Sequence, residues 1–241
     1  MIESFQNFNM PRYEKVRWQI QTLLMENEWD KDMPLPTEQE LAHKYQVSVG
    51  TVRKAVEKLV EDGILLKQQG RGTFLKQPDF ENSLSRFFKF RNTEAGYVAP
   101  IGIVKKIMLT KSIDVINKKL NLDANQGLIY LERVRTVDNK VILSERIWLS
   151  QNLFQPFTTL APEDFESLLY PFYYKKCGQF VSSAIEKLSF IKNHVDTYLD
   201  ISEQDNLVKV CRIAKNLKGD PIEYRESYGL ADNFSYEINI H

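Results

Sequence analysis

Residues 34–76 read PLPTEQELAHKYQVSVGTVRKAVEKLVEDGILLKQQGRGTFLK, and few folds accept that order of signals. Thr37 stands three residues before Glu40, the spacing of a capping box, and Leu41, Ala42 and Tyr45 behind it form one apolar stripe of a short helix. Gln46 and Val47 make a turn, and Ser48 is placed to cap a further helix. In that helix Val52, Ala55, Val56, Leu59 and Val60 fall on a single face, and Asp62-Gly63 ends it. Ile64-Leu65-Leu66 and Thr73-Phe74-Leu75 then flank the tip Gln68-Gln69-Gly70-Arg71-Gly72, where the glycines allow a sharp turn. Upstream, from Pro11 onward, Tyr13, Val16, Ile20, Leu23 and Leu24 recur at helical spacing.

Three helices followed by a small glycine-tipped hairpin make a winged helix-turn-helix, which presents a helix to the major groove of DNA. The polar face of that helix carries Gly50, Thr51, Arg53, Lys54 and Lys58. Charge supports the assignment locally. Residues 41–78 hold seven basic side chains (Lys44, Arg53, Lys54, Lys58, Lys67, Arg71, Lys76) against three acidic ones (Glu57, Glu61, Asp62), where phosphates would lie. The acidic residues of 26–40 are expected to face elsewhere. A winged helix used for protein contacts is the alternative.

The pattern LPTEQELAHKYQVSVGTVRKAVEKLVEDGIL…GRGTF resembles the DNA-binding domain of the GntR family of bacterial transcription regulators over about residues 11–76. The resemblance implies DNA contacts from Ser48, Thr51 and Arg53, beside Gly50 and Lys54, and from the wing residues Gln69, Gly70, Arg71 and Gly72. Two positions depart from the family pattern: Val49 and Gln39 stand where arginines are usual. Arginine is the commonest reader of guanine edges, so the departures point to an altered operator or to weaker base readout.

The 241 residues allow one large domain or two ordinary ones, and 43% hydrophobic with 12% aromatic residues is ample for packed cores. A formal net charge of zero argues against a uniformly basic coat protein for nucleic acid. Cys177 and Cys211 lie far apart with no CxxC, and read as free thiols. His43, His194 and His241 do not cluster, so neither a metal nor any other cofactor is expected. No signal peptide or apolar run of about 18 residues is present, which leads to the expectation of a cytoplasmic protein with no membrane partner.

Residues 77–98 read as a connector, though Phe87, Phe88 and Phe90 are apolar enough for part of it to dock. Beyond Pro100, strands are expected over 101–109, 128–137, 141–149, 181–190, 207–214, 221–228 and 234–240. Helices are expected over 114–120, 162–174 and 195–199, an α+β domain with a mainly antiparallel sheet. Alternation puts Leu131, Arg133, Arg135 and Val137 on one face, and Val141, Leu143, Glu145, Ile147 and Leu149 on one face of the partner. A three-residue loop at 138–140 then sets Arg133 opposite Glu145. Buried charges are costly unless paired. Two accounts stay open: a structural pairing of Glu145 with one arginine, or a pocket in which the arginine forks grip a phosphate or carboxylate and Glu145 holds hydroxyls or an amine. The run Tyr170-Pro171-Phe172-Tyr173-Tyr174 reads as core or dimer surface.

RVR, then ILSERIWL, then PIEYRESYG resemble the UTRA domain of the HutC subfamily of GntR regulators, over about residues 80–240. The resemblance implies an effector site drawn from Ser85, Arg86, Phe87, Arg133, Arg135, Glu145, Ser167 and Tyr228, with a homodimer built through this domain. It divides the chain into a winged helix-turn-helix at 1–77, a connector at 78–98 and an effector and dimerisation domain at 99–241. The expected function is a repressor that binds a two-fold, double-stranded operator and answers to a small anionic effector, a sugar phosphate, phosphonate or carboxylate. UTRA domains share their fold with chorismate lyase, so an enzyme with an appended DNA-binding domain is the competing class.

Overall fold

The computed structural model describes residues 11–25, 33–76, 91–92, 96–97 and 100–234. The chain divides into two compact units, Met1–Pro78 and Asp79–His241.

In the first unit, α1 (Arg12–Met25), α2 (Glu38–Tyr45) and α3 (Val49–Glu61) precede a hairpin of β1 (Leu65–Gln68) and β2 (Gly72–Leu75). Helix α3 is the hub, and both α1 and α2 pack against it. Its residues Val52, Ala55, Val56 and Leu59 are buried with Val16, Ile20, Leu23 and Leu24 of α1 and Leu41 and Ala42 of α2. That burial follows from the 3.6-residue period of each apolar stripe. The capping box is formed: the Thr37 amide donates to Glu40 at 2.7 Å and the Glu40 amide to Thr37 Oγ1 at 3.3 Å. Gln46, left-handed at φ 53°, ends α2 and makes the tight turn. Strands β1 and β2 pair from Leu65↔Leu75 to Gln68↔Gly72, so the tip is shorter than the sequence implies, Gln69 to Arg71.

The second unit contains two short paired segments, β3 (Arg91–Asn92) and β4 (Gly96–Tyr97), inside what reads in sequence as connector. The rest is a six-stranded antiparallel sheet in the order β5-β6-β7-β10-β9-β8. Its strands are β5 (Ile101–Thr110), β6 (Leu128–Val137), β7 (Lys140–Ser150), β8 (Val181–Ile191), β9 (Leu207–Asn216) and β10 (Pro221–Leu230). Helix α4 (Asp114–Lys119) follows β5, and α5 (Leu169–Cys177) lies between β7 and β8. The α+β architecture with an antiparallel sheet matches the expectation.

One face packs Ile129, Leu131, Ile147 and Leu149 against Phe154, Phe157, Leu169, Phe172 and Tyr173. On the other, Leu128 and Tyr224 pack against Ile116 and Leu120 of the α4 region.

Three local expectations are corrected. The 162–174 helix is instead a single 3-10 turn (Pro162–Asp164) and a separate α5. Pro171 has no amide to donate, so it fits only in a first turn, and α5 begins at Leu169. Residues 195–199 form no helix. The β6–β7 turn has two residues, Asp138 and Asn139, both left-handed (φ 48° and 61°), with Val137 opposite Lys140. A bulge beside Arg135/Thr136 shifts the register by one and brings Arg133 opposite Glu145 as expected, but it moves Val141 opposite Thr136. Ile142 takes its place, packed with Leu143, Val208 and Val210. The closing strand expected over 234–240 lies outside the described residues beyond Phe234.

Candidate functional site: a buried arginine–glutamate ribbon and an exposed helix face

Arg133↔Glu145↔Ser227 and Leu131↔Ile147↔Arg225↔Arg212↔Glu186 are cross-strand rows, so period-2 alternation aims all these side chains at one face. Arg133, Arg135, Arg212, Arg225, Glu145, Glu223 and Ser227 are all buried there. Glu145 is at the centre. It pairs with Arg133 Nη1, and its Oε1 lies 3.3 Å from each of Arg135 Nε, Arg225 Nη1 and Ser227 Oγ. Arg225 Nη2 donates to Glu223 at 2.8 Å, and the hydroxyls of Tyr170 and Tyr173 on α5 donate to the two Glu223 oxygens at 2.9 and 2.7 Å. Arg212 Nε donates to Glu186 at 2.6 Å, and its Nη1 reaches the Tyr170 hydroxyl at 3.1 Å.

Electrostatics follow from this geometry. Burial alone would raise the Glu145 carboxyl, but the Arg135, Arg133 and Arg225 guanidiniums together outweigh it and hold the group well below its ordinary value. Arg135 moves the other way. Burial, abetted by its three arginine neighbours, brings it down to about 10 despite Glu145. The charge balance adds to burial: among the described residues four guanidiniums share this face with three carboxylates, Glu145, Glu223 and half-buried Glu186. Arg133, Arg212 and Arg225 each spend two or more nitrogens on neighbours. Among the described residues Arg135 has one such bond, through Nε, and its two terminal nitrogens have no partner.

Several sequence expectations change here. The two accounts of the trio are not exclusive, since Glu145 bridges both arginines. It is too fully engaged to hold a ligand's hydroxyls or amine. Ser167 joins the group: its carbonyl accepts from Arg133 Nη2, and its hydroxyl accepts from the Gly102 amide at 3.0 Å. Tyr228 does not join it. Ser227 faces Glu145, so its neighbour Tyr228 points to the opposite face, where the His194 ring stacks on it at 4.2 Å and its hydroxyl donates to Glu226 at 2.7 Å. Ser85, Arg86 and Phe87 lie outside the described residues. Sequence reading missed Arg212, Arg225, Glu223 and Ser227. The alternation of PIEYRESYG already places Glu223, Arg225 and Ser227 on one face, and the signal was there to be used.

In the first unit, the α3 face exposes Ser48, Gly50, Arg53 and Lys54, with Val49 and Thr51 half-buried. Ser48 Oγ accepts from the Thr51 amide at 3.2 Å and lies 2.8 Å from Thr51 Oγ1, so one expected contact caps the helix while orienting the other. Arg53 Nε donates to Glu38 at 2.9 Å, and Lys67 lies 3.9 Å from the same carboxylate. The expectation that the acids of 26–40 face elsewhere therefore fails at Glu38, which sits beside exposed Gln39. The Lys54 ammonium lies 4.2 Å from the centre of the Tyr13 ring. In the wing, Gly70 and Gly72 have φ of 73° and 124°, and a Cβ at Gly72 would meet Pro34 at 2.9 Å. The Leu35 amide bonds the Thr73 carbonyl at 2.6 Å, tying the wing to the start of α2. Arg71 is exposed at the tip beside Gln69.

The described residues thus form a winged helix-turn-helix unit and an antiparallel α+β unit with a charged inner face. The model of the bacterial regulatory proteins of the gntR family matches residues 12–75, and that of the UTRA domain matches 105–235. The chain belongs to the gntR family of bacterial regulators, in the branch whose second domain is a UTRA domain.

Over 153 residues it is 29% identical to a probable fructoselysine utilization operon transcriptional repressor of Escherichia coli O157:H7, covering 63% of this chain and 62% of that one. The chain thus spans less than two thirds of that relative. It is 29% identical over 212 residues to the HTH-type transcriptional repressor STM4068 of Salmonella typhimurium, covering 86% of each. A crystal structure of a possible transcriptional regulator, YydK, from Bacillus subtilis superposes with a TM-score of 0.54 at 17% identity, over 96% of this chain and all of that one. That likeness concerns the fold. The relatives are regulators, which sets the enzyme reading aside. No helix among the described residues is long and apolar enough to cross a membrane.

Proposed function

We propose that this protein is a ligand-responsive repressor in which residues 1–77 bind DNA, 78–98 connect, and 99–241 bind the effector and form a homodimer on a two-fold operator in the cytoplasm. The effector is a small anion held by Arg133 and Arg135, which Glu145 orients, with Ser167 beside them; Ser85, Arg86 and Phe87 are assigned to the effector contacts from the family resemblance alone. The observation that carries this reading is the partly satisfied Arg135 fork, bonded to Glu145 through Nε alone among the described residues. Arg135 is buried, shifted down by burial and by like charges, and has both terminal nitrogens unspent among the described residues. A planar fork in that state is matched by a phosphate or carboxylate, which would supply negative charge and two hydrogen bonds. Relatives named as repressors of fructoselysine utilization and of arabinose metabolism favour a sugar-derived anion, a sugar phosphate first. DNA contacts come from Gln39, Ser48, Val49, Gly50, Thr51, Arg53 and Lys54, and from Gln69 to Gly72 in the wing.

Calorimetric titration of the full chain with a panel of sugar phosphates, phosphonates and carboxylates tests the reading. At least one anion binds, and Arg135→Ala weakens it about 10-fold or more, the size of one charge-assisted fork. An Arg135→Ala protein that binds the same anion as tightly as the wild type overturns the assignment.

A further inference from the structure

Gly102 is the second residue of β5 and pairs with Arg135, two residue pairs along from Val104↔Arg133 and so on the same face. A Cβ built there would lie 2.7 Å from Arg133 Nε and closer still to Cζ and Nη2, inside the guanidinium. The Arg133 head therefore lies flat across the β5 backbone, in a slot that exists because residue 102 has no side chain. The head has no room to retreat. It is 1% exposed, with Nη1 on Glu145 and Nη2 on the Ser167 carbonyl. Among the described residues β5 is at the edge of the sheet, so an amide directed away from β6 has no strand partner there, and the Ser167 hydroxyl accepts from the Gly102 amide. One serine thus clamps the arginine through its carbonyl and the strand through its hydroxyl.

We infer that Gly102 is a positioning residue of the effector site, and that the Gly102–Ser167–Arg133 clamp makes the edge of β5 respond to occupancy of that site. The inference rests on the anion-site reading above. A ligand that draws on Arg133 or displaces the Ser167 carbonyl loosens the hydroxyl from the Gly102 amide, and the change arises at the strand that follows the connector. Any side chain at 102 pushes the guanidinium off both partners and skews the fork geometry presented to the anion.

The test uses full-length wild type, Gly102→Ala, Arg133→Ala, the double variant and Ser167→Ala. Thermal midpoints are read with and without glucose 6-phosphate in a chloride background of equal ionic strength. Gly102→Ala lowers Tm by about 4 °C or more in the wild-type background, and by less than about 1 °C where Arg133 is already alanine and the slot is empty. An equal cost in both backgrounds overturns the slot. Gly102→Ala and Ser167→Ala also reduce the rise in Tm that glucose 6-phosphate gives the wild type, by half or more. A full rise in both overturns the positioning role. If Gly102→Ala does not fold, the double variant and Ser167→Ala still decide both points. Coupling without any rise in the wild type leaves the slot standing and removes this sugar phosphate as the ligand, so the two failures are distinct.

Discussion

Glu145 is the side chain on which the inner face depends. Four groups converge on it, and three are buried guanidiniums. Removing one partner of a buried ion pair is far costlier than the pair itself is worth, because the remaining charges stay buried. Glu145→Ala is therefore expected to lower stability by about 3–5 kcal/mol in denaturant unfolding. Its protonation has a definite sign. The carboxyl is held below its ordinary value of 4.5, so its contribution is complete above that pH and is lost as pH falls toward the folded value. Scanning calorimetry from pH 7 to pH 3 is expected to show wild-type Tm falling on the acid side of about pH 4.5. Glu145→Gln starts lower, and its gap to wild type narrows with acid; a gap that stays constant contradicts this account. The trio of Arg133, Arg135 and Glu145 was legible from strand period alone. Tyr228 rested on the family resemblance and not on strand period, and standing one residue on from Ser227 it faces the other side of the sheet.

At the scale of elements, α3 was almost fully legible. Its cap, its apolar stripe and its end signal act within the helix and its next neighbours. Less legible was what meets its outer face. Glu38 belongs to α2, yet its carboxylate holds Arg53, exposed at 58%. That contact needs the crossing of two helices, which no local pattern contains. An exposed pair of this kind contributes little to stability, so its effect falls on where the arginine points. Arg53→Ala is expected to weaken operator binding about 10-fold and to reduce the slope of log affinity against log salt by about one, as measured by fluorescence anisotropy between 50 and 200 mM salt. An unchanged slope would mean that Arg53 meets no phosphate or base. The 162–174 segment shows the opposite failure: proline and acids signalled a helix start correctly, but the chain used it for one turn only before Pro171 dictated a second start.

For the whole molecule, a two-fold operator requires two heads at a set separation. Sedimentation of the full chain at micromolar concentration is expected to give twice the chain mass. Inserting five base pairs between the half-sites of a selected operator turns one to the opposite side of the duplex and lowers affinity about 10-fold or more. A monomer indifferent to the insertion would refute the dimeric repressor. By itself the sequence determined the winged head, the α+β class of the second domain and the presence of arginines and a glutamate on a face that must be buried. Those properties rest on spacing, and spacing is local. The tertiary structure alone decided that β10 lies between β7 and β9, which brings Arg225, Glu223 and Arg212 beside Glu145. It also decided that Gly102 makes room for Arg133 and that Arg135, among the described residues, bonds Glu145 through Nε alone. Strand order and close approach are settled by chains meeting across long sequence separations, and no local period records them.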